Sequence, residues 1–170
     1  MASQIVNLTV NGADKEFIAR PPTTLLMALR EALHLTAAKR GCAQGACGSC
    51  TVLLDGEPVV SCLVPVVTVD GAAVDTLEGR ASEGELNDLQ QAFVDGFATQ
   101  CGFCTAGMIM SAEALLARSP DPSREEVLEA ISGNVCRCTG YEPIVRAILD
   151  ASARGRARTE EAATATGGEI

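Results

Sequence analysis

Gly41-Cys42-Ala43-Gln44-Gly45-Ala46-Cys47-Gly48-Ser49-Cys50, answered by Cys62 twelve residues later, decides how this chain is read. The cysteines form a C-x4-C-x2-C…C array, the spacing of the four thiolates that hold a plant-type 2Fe-2S cluster. Two tetrahedral irons bridged by two sulfides take two protein thiolates each. A short loop therefore supplies three sulfurs, and a later strand or turn supplies the fourth, Cys62. Glycines 41, 45 and 48 permit positive φ and let backbone N–H groups approach the anionic sulfurs, which lowers the cost of burying that charge.

Outward from the loop, the flanking sequence alternates as strands do. Ile5 to Val10, the Asn11-Gly12 turn and Lys15 to Arg20 predict one hairpin; Thr51 to Leu54, Asp55-Gly56 and Pro58 to Cys62 predict a second. Between them, Thr23 or Thr24 caps a helix to about Leu33, with Leu25, Leu26, Leu29 and Leu33 on one face. Leu63 to Val69 and Ala73 to Leu77 add extended pieces. The expectation is a β-grasp ferredoxin domain over about residues 1–80.

The polar run Glu78 to Gly84 reads as a linker, after which the period changes from 2 to 3.6. Leu86, Leu89, Phe93, Val94 and Phe97 make one apolar stripe, and Met108, Ile109, Ala112, Leu115 and Leu116 make a second. Ser123-Arg124-Glu125-Glu126 is a capping box for a helix with Val127, Leu128 and Ile131, and a last helix follows Thr139-Gly140-Tyr141-Glu142 with Ile144, Val145, Ile148 and Leu149. Residues 81–153 are thus expected to form a four-helix bundle, making the whole an α+β chain. Residues 154–170 lack an apolar face and are expected to be a mobile tail.

Composition narrows the function. At 47% hydrophobic content the chain folds, yet it has no Trp, one Tyr and four Phe, so its cores rest on aliphatic residues. A formal charge of −9 argues against nucleic acid as partner. No apolar run approaches the ~18 residues of a membrane span, and Met1-Ala2-Ser3-Gln4 opens no signal peptide, so a cytoplasmic protein is expected. Eight cysteines in that setting are ligands before they are disulfides.

The other four are Cys101-Gly102-Phe103-Cys104 and Cys136-Arg137-Cys138, at two breaks between helices. If the helices pack antiparallel, both breaks meet at one end of the bundle. Four sulfurs there suit a second 2Fe-2S cluster; structural zinc is the alternative, although C-x-C is less typical of it. A Rieske centre takes two histidines, and the chain has only His34, which reads as a surface residue.

Cys42 to Val52, Gln100 to Thr105 with Gly107-Met108, and Gly133-Asn134-Val135-Cys136-Arg137-Cys138-Thr139-Gly140-Tyr141 resemble the iron-sulfur subunit of the xanthine oxidase family of molybdenum hydroxylases, over about residues 4–153. The resemblance favours a cluster over zinc at the second site. It implies a cluster on Cys42, Cys47, Cys50 and Cys62 and another on Cys101, Cys104, Cys136 and Cys138. It also implies a large partner subunit with molybdopterin and a medium one with FAD, as a dimer of heterotrimers. Gln100 and Cys138 would contact the pterin. Ala106 stands where many relatives have Pro, which a first-turn position does not require.

The chain itself carries no constellation for making bonds: no nucleophile beside a histidine and no phosphate-cradling loop. Its implied role is as the non-catalytic electron-transfer subunit of an oxidoreductase, passing single electrons from the helical-domain cluster to the ferredoxin-type cluster and on to FAD. Gly48-Ser49 leans toward N-heterocyclic aromatic substrates for the complex. Carbon monoxide, aldehydes or aryl-CoA are the alternatives, and a free-standing 2Fe-2S carrier is the rival role.

Overall fold

The structure is a computed structural model that describes residues 2–81 and 84–166. Its first half is a five-stranded mixed sheet. β1 (Gln4–Val10) and β2 (Ala13–Ala19) pair antiparallel around Asn11 and Gly12, both at positive φ. That left-handed pair matches the twist of a two-residue hairpin. β3 (Thr51–Leu54) and β4 (Glu57–Val60) repeat the arrangement around Asp55-Gly56. The short β5 (Ala73–Asp75) joins them, parallel to β1 and antiparallel to β3, so the order is β2-β1-β5-β3-β4. Alternation locates strands but not which two a third will separate, and β5 as the sheet's centre was not foreseen.

Thr24 caps α1 (Leu25–Met27) by accepting from the Met27 N–H. The predicted helix does reach Leu33, but from Ala28 to Ala32 it continues as a π-helix, its Leu33 N–H reaching back to the Ala28 carbonyl at 3.0 Å. Leu25, Leu26, Ala28 and Leu29 are buried against Val6, Leu8, Val10, Val52 and Val74 from the sheet. Two other expectations in this half change. The predicted strand to Cys62 stops at Val60, because Ser61 turns and binds the Cys50 carbonyl through its hydroxyl at 2.7 Å, leaving Cys62 in a 3-10 turn over Ser61–Leu63. Leu63 to Val69 is not a strand either: Val66–Thr68 is a 3-10 turn, closed on the Pro65 carbonyl by the backbone N–H and hydroxyl of Thr68.

The start of the predicted linker is docked. Glu78 accepts from the Ala37 N–H and the Thr76 hydroxyl, and Arg80 pairs with Asp75. Ser82 and Glu83 lie outside the described residues.

Among the described residues four helices follow: α2 (Asp88–Asp95), α3 (Thr105–Arg118), α4 (Arg124–Ala130) and α5 (Glu142–Thr166). The Ser123 capping box forms as read, with Glu126, and Asn87 makes a second one with Gln90. Leu89, Phe93, Met108, Ile109, Ala112, Leu115, Val127, Ile131, Ile144, Val145 and Ile148 share one core. The first stripe is shorter than predicted: Val94, within α2, is exposed, and α2 ends before Gly96, which puts Phe97 outside the helix, 82% exposed and at positive φ. The two halves are joined by a small buried cluster of Leu53 from β3 with Met110 and Ala114 from α3.

The tail expected to be mobile is helix as far as Thr166. Arg154, Arg156 and Arg158 pair with Asp95, Asp121 and Asp88, so salt bridges to the body of the fold hold a segment that has no apolar face. Residues 167–170 lie outside the described residues.

Candidate metal centres

Cys42 and Cys47 lie on the loop before β3, Cys50 at its end and Cys62 in the turn after β4. Antiparallel pairing of β3 with β4 is what returns Cys62 to the loop, since Thr51 stands opposite Val60. All eight cysteines are free. Cys47 interacts with Cys42, and Cys62 with Cys50. The inner pair, Cys50 and Cys62, is buried, and the outer pair is half-buried.

The loop is shaped around Cys42. Backbone N–H groups of Gln44 and Ala46 point at its sulfur at 3.5 and 3.3 Å. Led by the Gln44 N–H and helped by Cys47, they pull the Cys42 thiol down to about 7. Burial acts oppositely on Cys50 and pushes it up to about 11. A Cβ on Gly41 would lie 2.8 Å from the Cys47 sulfur, so glycine is what lets the chain pass there.

In the helical half, Cys101 and Cys104 occupy the turn before α3, and Cys136 and Cys138 the loop before α5. Cys138 donates to Cys101, sulfur to sulfur, at 3.6 Å, and Cys104 interacts with Cys136. Both pairs therefore join one break to the other, as the antiparallel packing expectation required. Burial drives Cys104 up to about 12. It also acts upward on Cys136, but hydrogen bonds from Thr139 and from backbone N–H groups outweigh it and hold that thiol below its usual value. The Phe103 N–H and Cys138 lower Cys101, while Cys101 in turn raises Cys138. Cys101 and Cys138 are exposed, and so is Gln100 beside them. His34 is exposed, as its reading as a surface residue expects.

Several residues that hold this site carried no assigned role in the sequence reading. The Tyr141 hydroxyl accepts from the Cys136 N–H at 2.9 Å and donates to the Asn134 carbonyl at 3.2 Å, fixing the loop that carries Cys136. Thr139 lies 3.1 Å from the Cys136 sulfur. Position next to a cysteine was the only available signal, and it does not say which neighbour bonds.

The donors fit a 2Fe-2S group at each place. Thiols are its ligands, each iron takes two of them, and N–H groups already face the outer sulfur of the first set. Among the described residues no three or more His, Cys, Asp or Glu side chains converge as a single-ion site. These features define an iron-sulfur protein of two consecutive cluster-binding domains. Residues 8–85 match a 2Fe-2S iron-sulfur cluster binding domain and residues 76–149 a [2Fe-2S] binding domain.

Full-length comparisons carry this further. The chain is 46% identical to the nicotinate dehydrogenase small FeS subunit of Eubacterium barkeri, over 84% of this chain and 91% of that one. It is 49% identical to the nicotine 6-hydroxylase small subunit of Paenarthrobacter nicotinovorans, over 86% and 88%. Quinoline 2-oxidoreductase from Pseudomonas putida 86 contains a chain of the same fold, with a TM-score of 0.88 and 48% identity, covering 92% of this chain and 97% of that one. The chain belongs to the family of small iron-sulfur subunits of the molybdenum hydroxylases, the electron-transferring subunits of oxidoreductase complexes.

Proposed function

We propose that this subunit holds two 2Fe-2S clusters and relays single electrons from a molybdopterin-bearing large subunit to an FAD-bearing medium subunit, in a dimer of heterotrimers. Cys42, Cys47, Cys50 and Cys62 hold one cluster in a β-grasp domain of about residues 1–80. Cys101, Cys104, Cys136 and Cys138 hold the other in a four-helix bundle of about residues 81–153, and residues 154–170 are its C-terminal extension. The observation that carries this reading is that the eight cysteines interact within each half, four to a half: Cys42 with Cys47 and Cys50 with Cys62 in the first, and Cys101, Cys104, Cys136 and Cys138 with one another in the second. That is the number of thiolates two 2Fe-2S clusters take.

When bound, such a cluster takes up and gives back one electron at a potential set by ligation, hydrogen bonds to sulfur and burial. The chain's own residues supply those settings. Gln44 and Ala46 N–H groups stabilise negative charge at Cys42, Thr139 does so at Cys136, and burial of Cys50, Cys62 and Cys136 keeps water from the inner side. The exposed Gln100 and Cys138 are proposed to contact the pterin, so electrons enter at the helical half and leave from the ferredoxin half.

The substrate class proposed for the complex is an N-heterocyclic aromatic, as in the names of the nicotinate, nicotine and quinoline relatives. Eight free thiols suit a cytoplasmic setting, where thiols stay reduced.

The test is purification of the chain with its companions. Expected are about four irons per chain, visible absorbance bleached by dithionite, two distinct paramagnetic signals on reduction and a molybdenum-bearing companion. Fewer than two signals, or no such companion, refutes the reading.

A further inference from the structure

We propose that Asn134 is the positioning residue that fixes the two cysteine sets relative to each other. This rests on the reading that each set holds a cluster, and adds a residue that touches neither set's sulfurs. Asn134 is 4% exposed, and its amide is fully engaged. Its Nδ2 donates to the Gly48 carbonyl at 3.0 Å and to Thr51 Oγ1 at 3.4 Å, and its Oδ1 accepts from the Ser111 hydroxyl at 2.9 Å. The Gly48 carbonyl accepts only, so the amide can face one way.

Three segments converge here. Gly48 and Thr51 flank Cys50 on the first loop; Ser111 lies on α3, which begins directly after Cys104; and Asn134 stands two residues before Cys136. One residue further, the Val135 N–H donates to the Cys47 carbonyl at 2.9 Å, so the first loop and the loop of Cys136 are also bonded backbone to backbone. The packing leaves no slack. A Cβ on Gly107 would collide with the Gly48 carbonyl, and one on Gly48 would collide with the Gly133 carbonyl and come within 2.8 Å of the Asn134 Cα. Side chains larger than hydrogen would push the two loops apart.

A buried amide that binds both loops and the helix between them sets a distance, and electron transfer depends steeply on distance. Among the described residues the halves otherwise meet through the small cluster of Leu53, Met110 and Ala114 with Leu77 packed against it, so this polar contact gives the junction its fixed orientation.

The test compares the intact complex with its Asn134→Asp, Asn134→Ala and Ser111→Ala variants. Asn134→Asp keeps the size and removes the donor to Gly48; Ser111→Ala removes one bond to the amide and is the mild variant. Expected are full iron content, unchanged cluster potentials, an altered spin–spin splitting between the two reduced clusters at low temperature, and a several-fold slower second phase of bleaching after rapid mixing with reductant. Ser111→Ala shifts the same readings in the same direction by less. Iron-replete variants with wild-type splitting and wild-type second phase overturn the proposal, even if they melt earlier, because the role is then only structural. If both Asn134 variants fail to load iron, Ser111→Ala decides on the same two readings. A wild-type complex with fewer than two signals sinks the cluster reading itself, and this proposal with it.

Discussion

The two cysteine sets gather four thiols each by different means. The first gathers three of its four members within nine residues, Cys42 to Cys50, and one hairpin returns the fourth. The second joins two helix breaks more than thirty residues apart, and no member is brought in by a strand. They also differ in cover. The first set has two buried and two half-buried cysteines, whereas the second leaves Cys101 and Cys138 exposed. A locally wound loop closes over its own centre, while a site made where helices end stays open on the side away from the core. The open side is the one proposed above to face the pterin of the large subunit.

The sharpest way to break this comparison is to remove one inner sulfur from each half. Cys104→Ala should abolish one of the two paramagnetic signals, lower iron to about two per chain and uncouple substrate oxidation from flavin reduction, with metal binding and folding linked. Cys50→Ala should abolish the other signal. If either change removes both signals, or electron flow to flavin survives Cys104→Ala, the sets are not two separate stations in series.

Next in size is Gly107→Ala, which is buried at the contact between the halves and would force the Gly48 carbonyl away. Overpacking of this kind costs about 1–3 kcal/mol, read as a lower unfolding midpoint of the holoprotein. Gly12→Ala, whose Cβ meets nothing within 4 Å but whose φ is positive, separates backbone strain from crowding, since Gly107 is crowded without a positive φ. Equal losses at the two positions would mean that the contact between the halves is not tight.

Acid separates the halves by a different route. Asp95 is held below the usual carboxylate range by the Gln91 amide and Arg154, Glu126 by the Ser123 N–H and hydroxyl, and Glu142 by Arg124 and Arg146. All three sit in the helical half. A carboxyl whose folded-state pKa is lowered contributes stability that is present above its unfolded pKa and lost as pH falls through the folded one. The helical half should therefore hold from neutral pH to about pH 5 and weaken below about pH 4. The single tyrosine, Tyr141, lies in that half and reports it by fluorescence. A Tyr141 signal that is insensitive to acid would contradict the assignment. Smallest of all, Arg154→Ala breaks an exposed pair with Asp95 and should cost less than about 1 kcal/mol by thermal melting.

How much of this was legible follows the same division. The first set and both hairpins could be read because their signals are local: Asn11-Gly12, Asp55-Gly56 and a cysteine spacing specific to one chemistry. The second set could not be told from zinc by spacing, because its geometry depends on how two distant loops meet, and that is decided by packing of residues such as Phe93, Met108 and Ile148. Arg154, Arg156 and Arg158 looked like solvated charge until their partners Asp95, Asp121 and Asp88 came near in space. Phe97 had the right period for α2 but fell beyond Gly96, where the helix had already ended. Asn134 sat within a quoted motif, but its role depends on Gly48, eighty-six positions earlier in the sequence.

Leu53 is covered only when α3 lies on β3, with Met110 and Ala114 closing over it. During synthesis the sheet leaves the ribosome first, so that face of β3 waits bare until the chain has been extended through α3. The nascent subunit thus passes through a stage with a finished hairpin and an unshielded apolar flank. In that interval the Leu53 side of β3 is open to contacts that the finished molecule no longer gives.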